Sequence, residues 1–202
     1  MADPTQVSII NLGLTHIGQD PITSIIDGSV QQVEAMKVWD FVLRETLKSS
    51  NWGFAKVQEA LTVTTDYDPV YYTYAYVYPT KCLAIRKVNY DTNLDEAISG
   101  KYEVMYDSVK TAQRIVTDLE DAYIEYTYYV ETVTLFSHYF ITALARRLAA
   151  ELAIPLNGDT VMAEKNTTIF NTLTSEAQRH DAGERLEGHE GNEKSNFVNA
   201  RD

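Results

Sequence analysis

The chain has 202 residues, of which 45% are hydrophobic, and a formal net charge of -12. That is enough apolar material for one well-filled core, or for one core with an inserted lobe, and it excludes a chain disordered throughout. The acidic balance argues against a basic surface that grips nucleic acid, and a single cysteine, Cys82, excludes an intrachain disulfide framework and fits a reducing compartment.

The longest uncharged run, Pro4 to Gln19, is interrupted by Thr5, Gln6, Ser8, Asn11 and His16, so no segment reads as a membrane span. No basic region leading into an apolar stretch marks a signal peptide, and the expectation is a soluble protein made inside the cell. Charge and tyrosine content then divide the chain. Residues 59–131 carry 13 acids against 6 bases, while residues 132–180 carry 4 of each, and the same middle segment holds 13 of the 14 tyrosines. Two composition shifts that coincide predict a distinct lobe over 59–131, inserted into a helical body formed by 1–58 and 132–185.

In chain order, Asp3 before Pro4, with Gln6 three positions on, predicts a helix N-terminus with a cap, a first-turn proline and a capping-box partner. Val7, Ile10, Leu14 and Ile17 form its apolar stripe, and Gly18 is placed to close it. The connector Gly18 to Ser29 contains the breakers Pro21 and Gly28, with Ile22, Ile25 and Ile26 as expected anchors on the core. Ser29 caps a second helix whose face is expected at Val33, Met36, Trp39, Leu43 and Leu47, ending near Ser49 to Gly53, after which Trp52 and Phe54 pack back on the bundle.

From Glu59 the period changes to two. Leu61–Thr65, Tyr71–Tyr78, Cys82–Tyr90, Lys101–Tyr106, Ala112–Thr117 and Ala122–Val130 are rich in β-branched and aromatic residues, with turn-forming residues between them. Short spacings without intervening helices predict a small antiparallel sheet built from hairpins. Thr132 to Pro155 then reads as one long, nearly uncharged central helix, with Leu135, Phe136, Tyr139, Phe140, Leu144, Leu148 and Leu152 at helical spacing and Pro155 ending the run. Asp159 or Thr160 caps a last helix that buries Met162, Ile169, Phe170, Leu173 and Ala177. Residues 186–202 are charged and nearly free of apolar residues except Phe197 and Val198, which predicts a flexible C-terminal tail. The fold class is therefore α+β: an antiparallel bundle of about four helices with an inserted antiparallel β lobe.

Signatures of catalysis are missing from the sequence: no Gly-rich phosphate loop, G-x-S-x-G elbow, H-E-x-x-H or paired C-x-x-C occurs. Cys82 reads as a small apolar strand residue. His16, His138, His180 and His189 have no metal-ligand spacing, and His138 is expected as a satisfied core or interface group. The lobe acids Asp66, Asp68, Asp91, Asp95, Glu96, Asp118 and Asp121 fall in turns, where solvation explains them better than a glycosidase pair. Asn166 heads an N-x-T sequon, but within a predicted helix. No catalytic residue, metal or cofactor is expected. The tyrosine-rich strands are the sharper signal. An aromatic platform for single-stranded nucleic acid needs a positive groove, which the acidic lobe lacks, whereas protein interfaces favour tyrosine for its area and polar end.

The ordered blocks Ile17, Gly18, Pro21, Ile22 and Ser24, then Trp52 and Phe54, then Ala75, Tyr76, Tyr78, Pro79, Cys82 and Leu83, then ALARRLAAELAIPL from Ala143 to Leu156, carry a resemblance. Their order and spacing resemble the head-to-tail adaptors of short-tailed bacteriophages, the tail tubular protein A family, over nearly the whole chain except the tail; Lys81 stands where that family usually has an acid. The resemblance implies a structural virion protein in the neck of the phage tail: a homo-oligomeric ring of about twelve copies between the portal and the tail nozzle, closed by rotational symmetry. DNA would pass through its channel without specific binding, which an acidic lumen favours. On this reading Tyr71, Tyr72, Tyr74 and Tyr76 contact the nozzle or a neighbouring subunit, and Phe197 and Val198 anchor a tail that orders on the portal. Alternatives are a tail terminator or stopper, and, further off, a tail-associated peptidoglycan hydrolase.

Overall fold

The computed structural model describes residues 3–89 and 100–187, with side chains described as far as Arg179. The fold is α+β: four helices form one core and two three-stranded antiparallel sheets form a second.

The first helix, α1, spans Gln6–His16. Its cap is Thr5 rather than the expected Asp3: the Thr5 hydroxyl accepts the Ser8 N–H at 3.1 Å while the Ser8 hydroxyl accepts the Thr5 N–H at 2.9 Å, a reciprocal box that satisfies two orphan amides. Gly18, in the left-handed region at φ 69°, closes the helix, with its own N–H on the Thr15 carbonyl and that of Gln19 on the Leu14 carbonyl. Ile9, Ile10, Leu14 and Ile17 are buried. In the connector, Asn11 grips the backbone of Ile22 from both sides, donating to its carbonyl at 3.0 Å and accepting its N–H at 2.8 Å, and Ile22 is buried. Ile25 and Ile26 do not anchor; Ile26 is 85% exposed. The turn is organised instead by Asp27, whose carboxylate accepts from Ser29 Oγ at 2.6 Å, Ser29 N at 2.9 Å and Thr23 N at 2.8 Å, which lowers its pKa to about 2.

Ser29 caps α2, Val30–Ser49, as expected, but the buried face is rotated toward Ala35, Val42 and Thr46 together with Leu43 and Leu47. Val33 and Met36 lie on the exposed side. The predicted central helix is shorter at its start and longer at its end. Val133–Leu135 forms a separate 3-10 turn, Ser137 caps α3, His138–Asn157, and Leu135 and Tyr139 are exposed. Pro155 lies inside the last turn rather than ending the helix, which closes instead on Gly158 at φ 65°. Leu144, Leu148 and Leu152 are fully buried, each contributing about 2 kcal/mol of apolar burial. α1, α2 and α4, Thr160–Glu187, all pack on α3. Gly13 permits a close approach of α1 to α3: a Cβ there would stand 3.1 Å from the Ala145 carbonyl oxygen. Trp52, Phe54, Phe136 and Phe140 interlock at one corner, Trp52 edge-on to Phe140 at 5.1 Å. The Trp52 indole N–H donates to the Thr46 carbonyl at 2.8 Å.

The lobe contains two sheets rather than one. The first has the order β1 (Lys56–Ala60), β6 (Tyr123–Tyr128), β3 (Cys82–Asn89); the second has the order β2 (Tyr74–Val77), β5 (Ala112–Thr117), β4 (Tyr102–Asp107). The expected first strand, Leu61–Thr65, is not one: it makes a single bridge, Val63 to Tyr76, and the pairing segment lies five residues earlier. Leu61, Tyr76, Val88, Ile115, Ile124 and Tyr126 form the lobe core.

Candidate functional site

Two features distinguish this molecule from a bundle with a loose appendage: the joint that holds the lobe, and the helix face left uncovered. The last carbonyls of an α-helix have no partner within it. At the end of α2 those carbonyls belong to Lys48 and Ser50, and Arg86 on β3 supplies the donors, its Nη2 reaching the two oxygens at 2.9 and 2.8 Å and its Nε reaching Thr127 Oγ1 at 2.9 Å. Burial lowers the Arg86 pKa, opposed by Glu125 nearby. Glu125 is itself buried on β6 and accepts from Asn51 at 3.1 Å and Gln58 at 2.8 Å. On the neighbouring edge Tyr129 donates its hydroxyl to Asp40, while the Arg44 guanidinium lies 3.9 Å from the Tyr129 ring centre and donates to Asp40 at 2.7 Å. Burial, then the Asp40 carboxylate, push the Tyr129 phenol up to about 12.

The uncovered face runs along α2, away from α3. Val30 is 66% exposed and Phe41 60%, and Val33 shares their side of the helix. The ion pair Glu34–Lys37, at 2.5 Å, lies between Val33 and Phe41, and Asp40–Arg44, at 2.7 Å, brackets Phe41. The face therefore carries three exposed apolar side chains among charged ones.

The tyrosines nominated from the sequence divide. Tyr71 is 84% exposed, and Tyr72 and Tyr74 are half-buried. Burial raises the phenol pKa of both half-buried rings, with Glu103 beside Tyr72 and Glu120 beside Tyr74 adding to it. Tyr76 is a correction: it is buried in the lobe core and donates its hydroxyl to the Leu119 carbonyl at 2.6 Å, so it presents no contact surface. Phe197 and Val198 lie outside the described residues, as does the rest of the predicted tail from 188 onward.

Other candidates settle plainly. His138 is exposed at the first position of α3, which removes the core half of its expectation, because the helix starts just after the Ser137 cap rather than at Thr132. Cys82 is half-buried, and burial pushes its thiol up, away from reactive thiolate. Asn166 is buried, accepts from Arg146 at 3.1 Å and donates to the Met162 carbonyl at 2.9 Å, so its sequon is closed. Among the described residues no group of three or more His, Cys, Asp or Glu could hold a metal ion, and no helix is long and apolar enough to cross a membrane.

The joint was not legible in the sequence, because Arg86 and Ser50 are 36 positions apart and neither belongs to a motif. The α2 face left a trace, Val30, Val33 and Phe41 recurring on one side of the helix, which was masked by the larger apolar residues on the other. No protein-family model matches the chain, and no curated protein matches it.

Proposed function

We propose that this chain is a structural subunit of a phage neck: a head-to-tail adaptor that packs side by side with copies of itself into a ring between the portal and the tail nozzle. The observation that carries the reading is the uncovered apolar face of α2, with Val30, Val33 and Phe41, on the side of the helix away from the core. A free monomer gains nothing from exposing a phenylalanine between two ion pairs, whereas a subunit of a closed ring buries it. The order of sequence blocks that resembles the tail tubular protein A adaptors supports the same assignment. In such a ring the lobe projects from the helical body and is held at a defined angle by Arg86, Glu125 and Tyr129. The acidity of residues 59–131 suits a part that lies near moving DNA without binding it.

The test is negative-stain microscopy and sizing of the full chain mixed with the portal ring of its own phage. A second ring of density stacked on the portal is the expected result. No stacking across a range of salt concentrations removes the adaptor assignment and leaves terminator or stopper assembly as the next assay.

A further inference from the structure

Between the C-terminal end of α1, the middle of α3 and the first turns of α4 lies an open pocket of about 220 Å3, whose polar lining is His16, Arg146, Asp159, Lys165 and Asn166. Three of these are bases and one is an acid, in a chain with a net charge of -12. The acid is engaged: Asp159 Oδ1 accepts the Met162 N–H at 2.9 Å and so caps α4. Arg146 meets only a neutral group, Nη1 donating to Asn166 Oδ1 at 3.1 Å. The contrast with its neighbour is sharp, since Arg147 pairs with Glu45 at 2.8 Å and Glu151 at 2.6 Å. Among the described residues no ion pair reaches Arg146 or Lys165. Nε of Arg146 and Nε2 of His16 are closed off from water and have no hydrogen-bond partner. Arg146, half-buried and without a carboxylate partner, thus borders an open pocket with room for an anionic acceptor.

We propose that this pocket takes a small oxyanion of the phosphate class, held between the Arg146 guanidinium and the Lys165 ammonium with the His16 imidazole behind them. Basic side chains from three helices line the pocket, and a tetrahedral anion with several acceptor oxygens can meet more than one of them, whereas a planar carboxylate is satisfied by one guanidinium fork alone. The site is independent of ring assembly. It also has its own reporter. Burial, with Arg146 beside it, lowers the His16 pKa; the other charged groups lining the pocket with it are Lys165 and the Asp159 carboxylate, both from the α4 side. An anion offsets the two positive neighbours, so His16 takes up a proton as the ligand binds.

The experiment follows the imidazole C–H resonances of the full chain by NMR while inorganic phosphate is added at constant ionic strength, with His16→Gln identifying the His16 signal and sodium acetate as the carboxylate arm. Expected are a saturable shift of His16, an upward move of its titration midpoint, and an affinity weakened about tenfold in Lys165→Ala, whose side chain is exposed and bears no part of the core. A linear response without saturation, a response undiminished in Lys165→Ala, or acetate saturating as tightly as phosphate would each overturn the proposal.

Discussion

Arg86 on β3 donates to the backbone carbonyl of Ser50 at 2.8 Å and so caps the end of α2 from a distant part of the chain. One side chain thereby satisfies two carbonyls at the helix terminus and ties the first sheet to it. Arg86→Met keeps the aliphatic stem but leaves the Lys48 and Ser50 carbonyls without their donor. The expected cost is about 2 kcal/mol, read from urea unfolding, together with faster amide exchange at residues 50–56, just beyond α2, than within the helix. A change below about 0.5 kcal/mol with unaltered exchange would show that water replaces the guanidinium freely.

Gly13 faces α3 so closely that a side chain there must displace the Ala145 carbonyl or the Leu148 side chain. Gly13→Val is expected to lower stability by about 2 kcal/mol through overpacking, outweighing any gain from replacing a helical glycine. Thermal unfolding checks it, and an unchanged midpoint would mean that α1 is free to move outward.

Stability should fall as solutions become acidic, in part through His16. Burial, then Arg146, hold its pKa below the ordinary 6.5, so the unfolded chain takes up the proton first as pH falls. The stabilisation is whole above 6.5 and is lost as pH falls from there through the folded-state value. His16→Gln is expected to flatten the pH dependence between 7 and 5 in phosphate-free buffer; identical slopes for both proteins would assign the dependence to other groups.

At the alkaline end, Tyr129 is expected to ionise late. Burial and the Asp40 carboxylate raise its pKa to about 12, so it should be missing from the phenolate absorbance that develops near pH 10 and should appear about two units later. Because the folded pKa is the higher, the unfolded chain loses this proton first, and stability falls as pH rises from 10 toward 12. Tyr129→Phe should remove that late step and no other.

The α2 face separates assembly from folding. Val33→Asp combined with Phe41→Asp alters only exposed positions and is expected to change stability by about 0.5 kcal/mol or less while abolishing stacking on the portal. Normal stacking by this variant would place the subunit contacts elsewhere. Truncation after Arg185 should likewise leave the domain folded and abolish portal binding, the role assigned to Phe197 and Val198; retained binding ends that assignment.

Local chemistry made the helices and the character of the lobe readable. Ser29 capping α2, Gly18 closing α1 and the buried spacing of Leu144, Leu148 and Leu152 follow from three- and four-residue periodicity and from turn residues, which act over a few positions. The alternating tyrosines likewise announced strands. Only the tertiary structure decided that those strands form two sheets, that pairing starts at Lys56 instead of Leu61, and that Tyr76 turns inward while Tyr71 stays outside. A period of two names two faces without saying which is covered. The same limit applies to α2, which has apolar residues on both sides: α3 covers Leu43 and Leu47 and leaves Phe41 in solvent. Arg146 and Arg147 are adjacent in sequence and alike in chemistry, yet one finds two carboxylates and the other an open pocket. That difference depends on which helices surround α3, and helix packing brings together residues that no local pattern relates.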